Sequence, residues 1–239
     1  MSVLVNSAAY LLVFHGSRDP RSRQAVLNLS RLVSQRLSTT PNPPRVATAA
    51  LELAATPLHQ EIYQQAQNHQ LKELHIVPLF LLPGVHSQVD IPAEVATAQA
   101  YLHQTELYLH PYIGSDPGMV ALLKQHFQQL VGARLLVSHG SRREGANRVI
   151  EAIAQRLRAK IAYWSVESSL ETQVTALIEQ GHSEIAIQPY FLFTGGITDA
   201  LAQTVKILQS QFSQIHLNCG QPLGTTPALA DLIINKIKQ

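Results

Sequence analysis

Cysteine is nearly absent. The single Cys219 among 239 residues excludes an intrachain disulfide and any zinc or iron–sulfur site built on several thiolates. Charge is scarce too: Asp, Glu, Lys and Arg make up 14% of the chain, against about 25% in an average globular protein. The polar surface must therefore lean on Gln, Ser, Thr, Asn and His, as in the run Gln64, Gln65, Gln67. A formal net charge of +2 gives no case for a nucleic-acid or membrane partner. No apolar run approaches the roughly 20 residues of a membrane span, and the stretch 76–85 is broken by Pro78 and Pro83. The first apolar run, 8–14, lacks a basic leader and is too short for a signal peptide, so a cytoplasmic protein is expected. Also missing are the phosphate-binding, dinucleotide-binding, nucleophile-elbow and H-E-x-x-H metalloprotease signatures. Histidine phosphatases carry Arg directly before their His-Gly. Here Phe14 and Ser138 hold that place, which argues against phosphohistidine chemistry.

What is present is a duplication. The segment from Tyr10 to Arg18, ending Leu-Val-Phe-His-Gly-Ser-Arg, returns from Arg134 to Arg142, ending Leu-Val-Ser-His-Gly-Ser-Arg. Leu51-Glu52 is matched with Val166-Glu167, and Pro-Leu-Phe-Leu-Leu-Pro-Gly84 with Pro-Tyr-Phe-Leu-Phe-Thr-Gly195. Gly114-Ser-Asp-Pro117 is matched with Gly224-Thr-Thr-Pro227. The separation shrinks along the chain, as when loops are trimmed in one copy; the Pro-rich stretch 38–44 has no counterpart between Leu157 and Ile161. Two repeats follow, 1–131 and 132–239.

Each repeat alternates strand and helix signals. In the first, apolar runs at 9–14, 46–51, 73–81 and 107–110 read as strands. Helical spacing covers 21–37, 57–69, 88–101 and 117–130. Thr56-Pro57 reads as an N-cap followed by Pro at the first helical position. Such alternation predicts an α/β protein with parallel sheets flanked by helices.

Ligands of open parallel sheets gather beyond the carboxyl ends of the strands. Three polar side chains fall there: His15 after the first strand, Glu52 after the second, and His86 after the third, across Pro83-Gly84. Two imidazoles and a carboxylate suit a divalent first-row metal. Each residue also has a plainer use. His15 could be a turn residue, Glu52 a helix cap or surface charge, and His86 a solvated loop side chain. Their joint occurrence at equivalent strand ends favours a shared site. The second repeat keeps His139 and has Ile197 or Gly196 in place of His86, so a second complete site is not expected. Arg18, Arg21 and Arg23 cluster beside His15 and Ser17 against a lone Asp19. They are either a solvated first helical turn or a recognition patch for carboxylates or phosphates.

Leu-Val-x-His-Gly-Ser-Arg, then Leu-Glu-Leu-Ala, then Pro-Leu-Phe-Leu-x-Pro-Gly-x-His together resemble the sirohydrochlorin chelatases of the CbiX/SirB type, in their long two-repeat form. The resemblance implies a chelatase-like fold of two similar lobes, each with a parallel sheet, facing one another across a cleft. It implies insertion of Fe2+ or Co2+ into sirohydrochlorin, towards siroheme or cobalamin, with the metal as substrate and neither ATP nor an organic cofactor. It assigns His15 and His86 as catalytic, and His15, Glu52 and His86 as metal-handling. Ser17, Arg18, Arg21 and Arg23 would meet the carboxylates of the tetrapyrrole, and Leu81, Leu82 and Val85 its face. A chain that stops at Gln239 without a His-rich tail looks closer to the iron-inserting branch. The alternative is a non-catalytic tetrapyrrole or metal carrier that has kept the fold, which predicts binding without turnover.

Overall fold

A parallel strand must be followed by a crossover, and the apolar runs here are spaced for helical ones. The computed structural model describes residues 8–39, 42–166 and 169–237. In chain order the first repeat runs β1 (Ala8–Phe14), α1 (Pro20–Leu37), β2 (Arg45–Ala50), α2 (Leu58–Asn68), β3 (Glu73–Pro78), a π-helical turn (His86–Asp90), α3 (Ile91–Gln99), β4 (Glu106–Leu109) and α4 (Met119–Gln128). The second runs β5 (Ala133–Ser138), α5 (Arg148–Leu157), β6 (Lys160–Tyr163), α6 (Leu170–Glu179), β7 (Glu184–Tyr190), α7 (Gly196–Gln211), β8 (His216–Cys219) and α8 (Pro227–Ile237). The sheets have equivalent orders, β2-β1-β3-β4 and β6-β5-β7-β8, with every pairing parallel. The expected α/β architecture with two parallel sheets is the one observed.

Alternation along each strand sends one set of side chains to each face. In the first sheet Leu11, Val13, Leu74 and Ile76 bury against Leu58 and Ile62 of α2 and Ile91 and Val95 of α3. In the second, Leu135, Val137, Ile185 and Ile187 meet Val174 and Leu177 of α6 and Leu201 and Val205 of α7. Helix α2 begins one residue later than Thr56-Pro57 predicts. Pro57 keeps an extended ψ of 150° and is itself the N-cap, with no side-chain cap bond. Glu94 of α3 supplies the acceptor instead, taking the His59 N–H at 2.7 Å.

The expected repeats, 1–131 and 132–239, and the compact units are cut differently. One unit comprises Met1–Asp116 with Thr225–Gln239, the other Pro117–Gly224. The last helix of each repeat has thus changed places. Helix α8 lies on α1 and β3, with Arg36 Nη1 2.6 Å from Asp231 Oδ1 and the Thr225 hydroxyl donating to the Ala25 carbonyl at 3.1 Å. Helix α4 lies on α5 and β7, where Arg134 covers the Phe127 ring. In α8, Leu229, Leu232, Ile233, Ile234 and Ile237 are all buried. A helix apolar on that many sides needs a sheet face and a neighbouring helix at once.

Beside α8, His75 Nδ1 and His110 Nε2 are 3.0 Å apart, and His75 is flanked by Tyr10 and Tyr108. One ring must donate and the other accept, so the pair cannot carry two imidazolium charges face to face. Burial pushes the pKa of His75 down, with Glu73 opposing. It pushes His110 down as well, aided by His75 and Lys236. Unfolded imidazoles titrate near 6.5, so below that pH the unfolded chain binds more protons and stability falls. The thermal midpoint should therefore drop between about pH 7.5 and 5.5, and His110→Gln, which keeps an acceptor, should flatten that drop. Equal slopes in scanning calorimetry would mean that the pair is not the source.

Candidate metal centre

The site is built where β1, the second strand of its sheet, ends between its two neighbours. Leu51 donates to the Phe14 carbonyl at 2.8 Å and Glu52 to the His15 carbonyl at 2.9 Å, so the sheet pairing runs one step past each strand. On the other side the Leu79 N–H reaches the Val13 carbonyl at 2.7 Å. Gly16 is needed at this point. Its φ is +99°, and a Cβ there would collide with the Glu52 carbonyl. The chain after β3 turns through Pro83-Gly84, where the Gly84 N–H is accepted by the Ser87 hydroxyl at 3.1 Å. His86 stands in a helical turn that begins two residues before the helix expected from residue 88. That turn, His86–Asp90, is π-helical, a form that recurs at functional sites.

The three candidate ligands converge. One ligand atom from each of His15, Glu52 and His86 lies within 4.8 Å of the others. His15 Nε2 is 3.9 Å from Glu52 Oε2, and His86 Nε2 is 3.8 Å from Glu52 Oε1. The two imidazoles meet edge to face, with centroids 4.7 Å apart. Their tautomers follow from their second nitrogens. His86 Nδ1 is 2.7 Å from Asp90 Oδ2, and His15 Nδ1 is 3.1 Å from the Gly16 carbonyl. Carboxylate and carbonyl oxygens only accept, so in its neutral form each ring carries its proton on Nδ1 and leaves the Nε2 lone pair on the side of Glu52. The Glu52 side chain is 49% exposed and those of His15 and His86 are 51% and 34% exposed. A cation can therefore reach the group from solvent.

Asp90 is the functional candidate that sequence reasoning missed. Its signal was the i, i+4 spacing from His86, legible only once a helical turn is known to start at His86. A carboxylate on the far nitrogen of a ligating imidazole fixes its orientation and raises its basicity. Around the polar group stands an apolar frame. Phe80 lies against both imidazoles, with centroids at 6.4 and 6.3 Å, while Leu53, Val85 and Val89 are exposed. Leu81 and Leu82, expected beside Val85, are half-buried.

The basic cluster divides. Asp19 is the N-cap of α1, accepting from the Arg21 N–H at 2.9 Å, and its own N–H donates to the Ser17 hydroxyl at 3.0 Å. Arg21 returns on Asp19 with Nη2 2.6 Å from Oδ2 and Nε 3.0 Å from Oδ1. These bonds hold the Asp19 carboxyl below the usual carboxylate range. Arg21 is thus occupied within the chain. Arg18 and Arg23 are exposed and make no ion pair among the described residues.

The second copy repeats the frame with fewer donors. Trp164 and Ser165 donate to the Ser138 and His139 carbonyls at 2.9 and 3.0 Å, as Leu51 and Glu52 do to Phe14 and His15. Ser165 is therefore the counterpart of Glu52. The match of Glu52 with Glu167 is corrected by this register, and Glu167 itself lies outside the described residues. The β5–β7 pairing sets Pro189 against Val137, as Pro78 lies against Val13, so Ile197 takes the place of His86. His139 is left with Ser165 at 2.9 Å, and no triad forms there among the described residues.

One backbone feature beside the site is strained. Leu53, next to Glu52, has φ +55° and is 64% exposed. A left-handed conformation costs a leucine about 1 kcal/mol or more. Leu53→Gly should therefore leave stability unchanged or raise it by up to about 1 kcal/mol in denaturant unfolding. A clear loss would show that the Leu53 side chain is a packing element.

The sequence profile of the CbiX family matches residues 9–130 and again 133–239. The chain is 26% identical to a sirohydrochlorin cobaltochelatase of Priestia megaterium, over 96% of this chain and 78% of that protein. It is also 26% identical to a sirohydrochlorin ferrochelatase of the same organism, over 96% and 89%. Among solved structures, SirB from Bacillus subtilis with Fe3+ superposes with a TM-score of 0.81 at 20% identity, covering 97% of this chain and 94% of that one. Two matches to one family, one per repeat, together span nearly the whole chain: the chain belongs to the CbiX family.

Proposed function

We propose that this chain is a sirohydrochlorin chelatase, a lyase-class enzyme that inserts Fe2+, or Co2+ in its place, into the tetrapyrrole on the way to siroheme or cobalamin. The observation that carries the reading is the convergence of His15, Glu52 and His86 within 4.8 Å in a chain of this family. The metal is substrate, and the macrocycle is the second substrate. Insertion replaces two pyrrole N–H protons by one M2+, so the site must hold a dication, let it shed water and accept protons. A neutral imidazole with a free Nε2 can ligate a divalent ion or accept a proton near neutral pH. Glu52, between the two Nε2 atoms, can share the ion with either or relay a proton. Asp90 would hold His86 in the tautomer that ligates.

The exposed Leu53, Val85 and Val89 around this polar centre suit the face of a flat macrocycle. Arg18 and Arg23 suit its carboxylates, with Ser17 beside them. Arg21 serves them only if it leaves Asp19. The donor set takes either metal, and Co2+ binds such sites more tightly than Fe2+. We place the protein in the cytoplasm, where ferrous iron is kept reduced. Among the described residues no helix is long and apolar enough to cross a membrane.

An anaerobic absorbance assay of metal insertion tests the reading. His15→Ala and His86→Ala should each lose activity by about a hundredfold or more, whereas His139→Ala should keep most of it. An active His15→Ala with a dead His139→Ala would overturn the assignment, and binding without turnover in the wild type would favour a carrier. Asp90→Asn should weaken Co2+ binding by roughly ten- to a hundredfold in a visible-absorbance titration. An unchanged affinity would reduce Asp90 to a helix contact.

A further inference from the structure

The second unit gives a residue-by-residue reference for the helix that carries His86. Both helices start from a glycine held in the same way. The Gly84 N–H is accepted by the Ser87 hydroxyl at 3.1 Å, and the Gly195 N–H by the Thr198 hydroxyl at 2.8 Å. The Gly84 carbonyl accepts from the Gln88 N–H at 3.0 Å, and that of Gly195 from the Asp199 N–H at 2.9 Å. Near their far ends the two also agree. Gln99 Oε1 takes the Leu107 N–H at 3.1 Å, and Gln209 Oε1 the Leu217 N–H at 2.9 Å. In step with those glutamines, buried Ile91, Val95 and Ala98 of α3 match buried Leu201, Val205 and Leu208 of α7. The starts and the cores are out of step by one residue. Ile91 stands seven places after Gly84, and Leu201 six places after Gly195. The first unit thus has one residue more between Gln88 and Ile91. It falls in the π-helical turn, where the Ile91 N–H reaches back five residues to the His86 carbonyl.

We infer, on the proposed reading of the triad as a metal site, that this extra residue is what sets a carboxylate against the far nitrogen of His86. Ile197 holds the place of His86 in α7, and the residue four places on is Leu201, a fixed part of the core. An unbroken α-helix from Gly84 would likewise set Ile91 on the face below His86, since the cap fixes one end and the core the other. One added residue moves Ile91 to the fifth place. The fourth is then open to Asp90, whose Oδ2 lies 2.7 Å from His86 Nδ1. Without it Asp90 would stand where Ala200 does, three places on and exposed. A wide turn lets a helix absorb a single extra residue while both ends keep their contacts. Gln88 and Val89 of that turn are exposed, so the added length fills no core position there. Asp90 is thus a positioning residue made available by the backbone. The copy without the extra residue also has no histidine to position.

Co2+ binding followed by visible absorbance, without tetrapyrrole, tests this apart from turnover. Deleting Gln88 shortens the turn to the length found in α7. That variant should unfold cooperatively with a thermal midpoint within a few degrees of the wild type or above it. It should nevertheless bind Co2+ roughly ten- to a hundredfold more weakly. Gln88→Ala, which keeps the length, should bind as the wild type does. A further variant leaves the length alone: Val89→Asp with Asp90→Ala moves the carboxylate from the fourth place to the third. It should bind as weakly as Asp90→Ala by itself. Wild-type affinity in the deletion or in the moved-carboxylate variant would overturn the inference. A deletion variant that fails to fold would overturn it too, since the extra residue would then be a requirement of the core. Weak binding in Gln88→Ala would do the same, because a side chain and not the length would be at work. A wild type that binds Co2+ at the triad but inserts no metal would overturn the proposed function alone. A wild type that does not bind Co2+ would overturn both.

Discussion

A single backbone hydrogen bond, from the Glu52 N–H to the His15 carbonyl, carries the sheet one residue past its strand ends. It brings the Glu52 backbone so close to Gly16 that no side chain fits between them. From that closeness the rest follows. The imidazole after β1 and the carboxylate after β2 are forced onto one rim. β3, bonded to the other side of β1, sends its own connection back over the same rim. A flexible loop would have to spend conformational entropy to gather three ligands. Here the ladder that folds the sheet has already done so.

The duplicated frame shows that the backbone alone does not make the site. Ser165 repeats the bond of Glu52, and Gly140 repeats the left-handed turn of Gly16 with φ +76°. The side chains delivered there are a hydroxyl and, at the place of His86, an isoleucine. The same economy governs charge. In a chain with few ionised residues, Asp19 occupies Arg21 as helix cap and ion-pair partner, so the basic cluster presents fewer free cations than its sequence suggests.

Much of this was legible in the sequence because it depends on local order. Apolar runs bounded by Gly and Pro gave the strands, and residues directly after them gave His15 and Glu52. His86 is legible from its strand end, but the π-helical turn it stands in is not, since a single such turn has no periodicity to announce it. Asp90 was missed for the same reason. The exchange of α4 and α8 between units was not readable, because both repeats end in the same helix signal and only tertiary burial decides which sheet each covers. Matching Glu167 to Glu52 failed because alignment by residue type cannot count a loop, whereas ladder register can.

We propose one metal-handling site per chain, built from His15, Glu52 and His86 in the first unit. The most direct measurement is an anomalous difference map from crystals soaked in Co2+. A single strong peak is expected within about 2.0–2.3 Å of His15 Nε2, His86 Nε2 and a Glu52 oxygen, and none beside His139. A principal peak at His139 and Ser165, or at the His75–His110 pair with the triad empty, would contradict it.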